Sequence, residues 1–177
     1  MAPGDVAARP GPAAVRVVVR ALLRAGDRIV LVREAYQDMT LWLAPGGAVE
    51  PGELLTTALI REVREEVGLT VHTVGPIAFC INTRRDDATT TLVVFFEITD
   101  WSGTPEPVDP DILDAALVST HDAVGLVSSE PQAPRRIVQP LAEYLLGRCP
   151  PGTTWTWDGD NTDATWGAAH SRDRSSR

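Results

Sequence analysis

The sequence predicts a layered α+β domain, because short β-branched runs with turn signals between them alternate with separate helical segments. The chain has 177 residues, a length that suits one ordinary domain better than two. A domain of this size buries a sufficient core without disulfides or a structural metal. We interpret residues 1–13 as a loose leader, residues 14–148 as the domain and residues 149–177 as a C-terminal extension.

The first strands of the domain are predicted as a hairpin. Residues 16–23 include three consecutive valines, and residues 28–33 form a second short apolar run. The turn signal Ala25-Gly26-Asp27 separates the two runs. Two β-like runs around such a turn indicate an antiparallel pair.

A second pair of strands is predicted at residues 71–81 and 90–98. The polar residues 84–87 between them are typical of a hairpin turn. After the Pro-rich residues 104–110, a short strand is expected near residues 115–118.

Two helices are predicted. The first covers residues 54–67, with Leu59, Ile60, Val63 and Val67 on its core face and a glycine following as its C-terminal cap. The second is predicted at residues 137–146, where a proline at position 140 requires the first helical turn.

Composition limits the class of function. The net charge of −8 argues against recognition of a nucleic-acid backbone, although it does not exclude a small phosphorylated substrate. No signal peptide or membrane-length apolar run is visible, so we expect a cytoplasmic protein without a membrane partner. Cys80 and Cys149 form no CxxC pair, which indicates one buried and one surface thiol in a reducing compartment.

The extension changes in character and is rich in Thr, Asp, Gly and Ser. We interpret it as flexible or loosely docked. The alternating Trp155 and Trp157 could instead cover an apolar patch on the domain or on a partner subunit, which would make the protein a homodimer.

The first helix carries three glutamates on one flank. At 3.6 residues per turn, Glu62, Glu65 and Glu66 fall within roughly 100° of arc. Like charges at this spacing repel each other, and Arg61 and Arg64 cannot neutralise all three. A divalent cation that prefers oxygen ligands, Mg²⁺ or Mn²⁺, would compensate them. A solvated acidic helix face is the alternative.

Two glycines precede this helix and change that balance. Gly46 and Gly47 permit a backbone turn that few other residues allow. A main-chain carbonyl could therefore approach the same carboxylate cluster, which favours a cation site over a solvated face.

The segment resembles the Nudix box: glycine, five residues, glutamate, seven residues, arginine-glutamate, an aliphatic residue, any residue, two glutamates, any residue, glycine and an aliphatic residue. The matching positions are Gly47, Glu53, Arg61, Glu62, Val63, Glu65, Glu66, Gly68 and Leu69. The resemblance implies a Nudix-like α/β/α sandwich with a mixed β-sheet, in which the box forms a loop–helix–loop catalytic motif. It also implies a metal site formed by the Gly46 carbonyl with Glu62, Glu65 and Glu66, where Glu65 is either a ligand or the base that activates water.

The resemblance also implies a role for Glu53 and Arg61. Glu53 and Arg61 would pair and fix the loop against the helix. Apart from the resemblance, Arg33, Arg84 and Arg85 are candidates for binding substrate phosphate, and the alternative is that each is a surface charge. The candidate catalytic residues are therefore Glu53, Arg61, Glu62, Glu65 and Glu66.

The function expected from this resemblance is a Mg²⁺-dependent pyrophosphohydrolase, which cleaves a diphosphate linkage in a nucleotide or nucleoside diphosphate derivative by metal-activated water. The alternative is a non-catalytic Nudix-like sensor that binds nucleotide. An isomerase on the same fold would need a cysteine upstream of the box, and the first cysteine is Cys80. Which nucleotide is the substrate, and whether Asp109, Asp111 or Asp114 assists, stays open.

Overall fold

The structure is a computed structural model that describes residues 14–84 and 89–158, together with the backbone of residues 165 and 166. The helices are α1 (Leu55–Val67), α2 (Thr120–Val127) and α3 (Arg135–Leu145). The strands are β1 (Ala14–Ala25), β2 (Arg28–Tyr36), β3 (Met39–Leu43), β4 (Thr70–Thr73), β5 (Ile77–Arg84), β6 (Thr89–Ile98), β7 (Asp100–Ser102), β8 (Ile112–Ser119), β9 (Thr153–Asp158) and β10 (Thr165–Trp166). None of the helices in these ranges is long and apolar enough to cross a membrane.

The strands form a large mixed sheet and a small second one. The large sheet runs β10-β9-β5-β6-β1-β2-β3, with β8 also paired to β2, and β4 pairs with β7 separately. β1 is parallel to β6, whereas β5 and β6 are antiparallel. This arrangement confirms the predicted α+β class with a mixed sheet.

The predicted first hairpin exists only at its turn. β1 and β2 are paired at Arg24–Ile29 and Ala25–Arg28 and then separate. Beyond the turn β1 pairs with β6, while β2 pairs with β3 and β8. A central strand that is buried on both faces takes its neighbours from wherever the core is completed, which local sequence does not specify.

The core lies on both faces of β1. Val19 and Leu23 point into one apolar cluster that includes Leu59 and Val63 of α1. Leu22 points into the other cluster, which includes residues of α2 and α3. The sheet therefore lies between α1 on one face and α2 with α3 on the other.

α1 matches its prediction closely. It ends at Gly68, which has a φ of 69° and donates its backbone N–H to the carbonyl of Arg64. The expected core face was wrong at Ile60, which is 41% exposed, because the buried arc of the helix runs through Ala58 and Glu66 instead.

Two other expectations need correction, and one helix was missed. The run at 71–81 is divided between β4 and β5, because the N–H of Gly75 is bonded to Glu97 and a proline follows. α3 begins at Arg135, so Pro140 lies in its second turn rather than in its first. α2 was not predicted, although Ser119 caps it by accepting a hydrogen bond from the backbone N–H of Asp122.

The beginning of the extension is part of the sheet. β9 pairs in parallel with β5, and the rings of Trp155 and Trp157 stack with centroids 5.6 Å apart. Both indoles are buried in the core of this chain. The thiols of Cys80 and Cys149 are unpaired, the first half-buried and the second buried.

We expect Trp155→Ala to lower the free energy of unfolding by about 3–5 kcal/mol, because it removes a completely buried indole from the core. Urea unfolding followed by circular dichroism measures the loss. Leu113→Ala, at an exposed position of β8, is the control and should cost less than about 1 kcal/mol. Similar costs for the two variants would contradict the packing of β9 on the sheet.

Candidate functional site: a buried carboxylate between a glycine loop and α1

The site is centred on Glu66, which is 9% exposed and is the one buried charged residue in the described part of the chain. Its Oε2 accepts a hydrogen bond from the backbone N–H of Gly46 at 2.8 Å. α1 supplies the carboxylate and the loop before α1 supplies the donor. A carboxylate taken from water requires such partners.

The glycine loop follows β1 closely. The carbonyls of Pro45 and Gly47 accept hydrogen bonds from the N–H groups of Ala21 and Val19, at 2.8 and 2.9 Å. Gly46 lies between them, and within the described residues its carbonyl accepts no hydrogen bond. The loop thus fixes this carbonyl without using its lone pairs.

A side chain at either glycine would meet a close contact, with the backbone at Gly46 and with the Glu62 side chain at Gly47. Gly46 has a φ of 138°, and a Cβ added there would lie 2.1 Å from the carbonyl oxygen of Val19. A Cβ at Gly47 would lie 2.5 Å from the carboxylate of Glu62. The two carboxylates of α1 therefore approach the same short stretch of backbone.

Arg61 joins the loop to the other carboxylates. Its Nε and Nη2 donate to the two oxygens of Glu53, at 3.0 and 2.9 Å, so the pairing implied by the resemblance is present. Nη1 donates to Glu62 at 2.8 Å and to Glu65 at 3.1 Å. Hydrogen bonding from Arg61 is the main reason that the pKa of Glu53 lies below its usual value. Glu65 is the most open of these acids, with 55% of its side chain exposed.

Sequence reasoning missed Arg20 and Glu34. Arg20 of β1 forms a two-point ion pair with Glu34 of β2, at 2.8 and 3.2 Å, and donates to the carbonyl of Ala44 at 2.9 Å. The pair lies on the side of the sheet where the carboxylates of Glu62 and Glu66 act on Arg20. A signal was available, since Arg20 is the one charged residue within the apolar stretch 17–23 of β1.

The environment of Glu66 changes its acidity. Burial raises its pKa to about 7, although the charge of Arg20 and the hydrogen bond from Gly46 act in the opposite direction. Because burial disfavours the ionised form of this carboxyl, a bound cation would stabilise that form and would compete with the proton for it.

The arginines proposed for phosphate lie in different places. Arg33 is on the exposed face of β2 and donates to Thr40 Oγ1 at 3.2 Å. Arg84 lines a cavity next to the site and forms a two-point pair with Asp158 at 2.8 and 2.6 Å. Arg85 lies outside the described residues.

Two of the aspartates considered as assisting acids accept hydrogen bonds from nearby backbone N–H groups. Asp109 accepts from the N–H of Asp111 and Asp114 accepts from the N–H of Ala115, both at 2.8 Å. The loop itself reaches α1, where Val108 donates to the carbonyl of Glu66 at 2.9 Å.

The donor atoms of the site fit a divalent cation. Within the described ranges no three His, Cys, Asp or Glu side chains already surround a cation position, because Arg61 lies between Glu62 and Glu65. The Glu62 and Glu66 carboxylates and the unused Gly46 carbonyl are nevertheless all hard oxygen donors beside one backbone segment. Mg²⁺ and Mn²⁺ prefer such ligands.

The fold and this site define a class: an α/β/α sandwich in which a glycine loop and the following helix present clustered glutamates. A family model described as the NUDIX domain matches residues 13–141. The chain therefore belongs to the NUDIX family.

Individual relatives agree with that membership. The chain is 39% identical over 66 residues to human 8-oxo-dGDP phosphatase NUDT18, a match that covers 34% of this chain and 20% of that protein. It is 42% identical over 56 residues to the CTP pyrophosphohydrolase of Escherichia coli K12, covering 31% and 42%. The matches therefore span less than half the length of these relatives.

Solved structures share the fold over a longer range. The E. coli ORF135 protein aligns with a TM-score of 0.61 and 28% identity, covering 76% of this chain and 91% of that one. A NUDIX hydrolase from Nitrosomonas europaea aligns with a TM-score of 0.61 and 26% identity, covering 78% and 93%.

We expect Gly47→Ala to weaken Mn²⁺ binding about tenfold or more while the protein stays folded. The new methyl group collides with the end of the flexible Glu62 side chain, which can swing away and leave the site. Isothermal titration calorimetry measures the affinity. Gly125→Ala is the matched control, because a Cβ there meets nothing within 4 Å. Unchanged Mn²⁺ affinity in Gly47→Ala would contradict the placement of Glu62.

The pKa of Glu66 predicts a pH-dependent stability of the cation-free protein. The folded state keeps this proton up to about pH 7, whereas the unfolded chain loses it near 4.5. A folding penalty therefore develops as the pH rises from about 4.5 to about 7 and persists above it. In chelator, Glu66→Gln should raise the free energy of unfolding by on the order of 2 kcal/mol at pH 8.5 and change it little near pH 5.

Urea unfolding at the two pH values tests this. Glu65→Gln, which changes an exposed acid of the same helix, should alter stability by less than about 1 kcal/mol at either pH. An equal effect of Glu66→Gln at both pH values would show that Glu66 does not titrate as a buried acid.

Proposed function

We propose that the protein is a Mg²⁺- or Mn²⁺-dependent pyrophosphohydrolase that cleaves a diphosphate linkage in a nucleotide or nucleoside diphosphate derivative. The observation that carries this proposal is the buried Glu66 at the Gly46 N–H, with the Glu62 carboxylate against Gly47. Such an arrangement is costly for folding and serves cation binding.

Glu62, Glu66 and the carbonyl of Gly46 would hold the cation. When bound, it would neutralise charge on the diphosphate and make a coordinated water more acidic. Glu66 must first lose the proton that burial favours, so cation binding and proton release are coupled in this site. Arg20 keeps a compensating positive charge beside Glu66 throughout.

Glu65 is the proposed general base. It is exposed, accepts a hydrogen bond from Arg61 and reaches solvent at the open side of the helix. Arg61 is a positioning residue, because its contacts to Glu53, Glu62 and Glu65 fix the loop and both acids relative to each other. A base held in this way can take a proton from the attacking water.

Two relatives support the reaction class by their names, which are 8-oxo-dGDP phosphatase and CTP pyrophosphohydrolase. The shared element is a phosphoric anhydride bonded to a nucleoside. We propose the same anhydride chemistry for this protein and assign no nucleobase to its substrate. The presence of every carboxylate of the box favours catalysis over a sensor that only binds nucleotide.

We expect hydrolysis of at least one compound in a panel of nucleoside di- and triphosphates, nucleotide sugars, ADP-ribose and dinucleoside polyphosphates with Mg²⁺. Glu62→Gln and Glu66→Gln should each lower kcat about 100-fold or more, because each removes an anionic ligand while conserving shape. Phosphate release, coupled to a phosphatase where needed, is the measurement.

Glu106→Gln, which changes an exposed acid in the loop after β7, is the matched control and should retain full activity. Near-normal kcat in Glu66→Gln would remove Glu66 from the catalytic set. Tight nucleotide binding without hydrolysis across the panel would favour the sensor.

A further inference from the structure

A cavity of about 390 Å³ opens next to the carboxylate site, between the large sheet and the beginning of α3. Gly47 and the Arg20–Glu34 pair line the end that is closest to the catalytic glutamates. Apolar side chains such as Val18 and Val93 line its middle. The cavity is large enough for a nucleoside, in the size range of small-molecule sites.

Three arginines from three different elements also line the cavity, and we call its end away from Arg20 the arginine end. Arg16 belongs to β1, Arg84 to β5 and Arg136 to the first turn of α3. The sheet register places Arg16 opposite Thr91 of β6 and Arg84 opposite Thr90, so the first two lie at the same level across the sheet. This arginine end is therefore built by tertiary structure rather than by neighbouring residues in the sequence.

The charges of this end are only partly compensated. Arg84 is paired with Asp158. Within residues 14–84 and 89–158, neither Arg16 nor Arg136 forms an ion pair. A cation in the first turn of a helix is also disfavoured by the helix dipole, so Arg136 does not serve to stabilise α3. The excess of positive charge is local, because the whole chain carries −8.

The arginine end is separated from the catalytic end along β1. Arg16 and Arg20 lie on the same face of that strand, four residues apart, which corresponds to about 13 Å between their Cα atoms. A diphosphate that lies at Gly47 and the glutamates is therefore on the other side of the apolar section. An anion bound at the arginine end would therefore be a different group from that diphosphate.

We propose that the arginine end binds a second phosphate on the nucleoside part of the substrate. That the diphosphate lies at the opposite end, beside Gly47 and the glutamates, rests on the proposed function. Guanidinium groups form charge-assisted, two-point hydrogen bonds with phosphate oxygens, and Arg16 and Arg136 both line this cavity together with its apolar section. The preferred substrates are then nucleoside diphosphate derivatives that carry another phosphate on the ribose, remote from the diphosphate.

Binding of nucleotides without a cleavable anhydride tests this separately from catalysis. Calorimetry compares the 5′-monophosphates of adenosine, guanosine and cytidine with their 3′,5′-bisphosphates, and AMP with adenosine 2′,5′-bisphosphate. At least one bisphosphate should bind about tenfold or more tightly than its monophosphate. Arg16→Gln and Arg136→Gln should each reduce that preference several-fold. Arg135→Gln, which changes the neighbouring exposed arginine outside the cavity, should keep it.

Equal affinity of every bisphosphate and its monophosphate overturns the proposal, as does a lack of bisphosphate binding at millimolar concentration. A preference that survives in the Arg16→Gln/Arg136→Gln double variant also overturns it. Hydrolysis of diphosphates without any bisphosphate preference would reject this second-phosphate site alone. A bisphosphate preference in a protein that hydrolyses no diphosphate would reject the proposed function instead.

Discussion

The site depends on one costly feature, the burial of the Glu66 carboxylate between α1 and β1. Burying a charge is unfavourable unless other groups replace its water. Here the Gly46 N–H donates to it and Arg20 provides the nearest positive charge. Arg20 is itself held by Glu34 and by the carbonyl of Ala44. The carboxylate is thus supported from a loop and from two strands, and its pKa still remains near neutrality.

This constraint explains why the loop before α1 is so specific. The loop must present the Gly46 N–H to Glu66 while its other carbonyls bond to β1, which no residue with a Cβ can do at that φ. Glu62 occupies the space that a side chain at Gly47 would need. Arg61 then connects Glu53 of the loop to Glu62 of the helix. The loop and the helix therefore form a single unit that is built against the central strand.

The sequence predicted this unit well because its contacts are local. Glu53, Arg61 and Glu62 lie within ten residues of one another, and helical periodicity places the glutamates of α1. Arg20 and Glu34 were missed because their pairing depends on how distant strands assemble. The same reason applies to β1, whose partner β6 is far away in the sequence, and to β9, whose parallel pairing with β5 left the extension open to two interpretations. A local sequence pattern does not show which distant strands will pair.

The two ends of the cavity also differ in how far apart in the sequence their residues lie. The glycine loop and the glutamates of the carboxylate end lie in one continuous segment, so a motif of local spacing describes them, whereas the Arg20–Glu34 pair comes from two other strands. The arginine end combines Arg16, Arg84 and Arg136 from three distant elements, and no short motif describes it. The proposed cation site and the proposed second-phosphate site therefore depend on different kinds of sequence information. In an acidic protein, Arg16 and Arg136 line this cavity without an ion pair among the described residues, so under our proposal a substrate phosphate would supply the opposite charge.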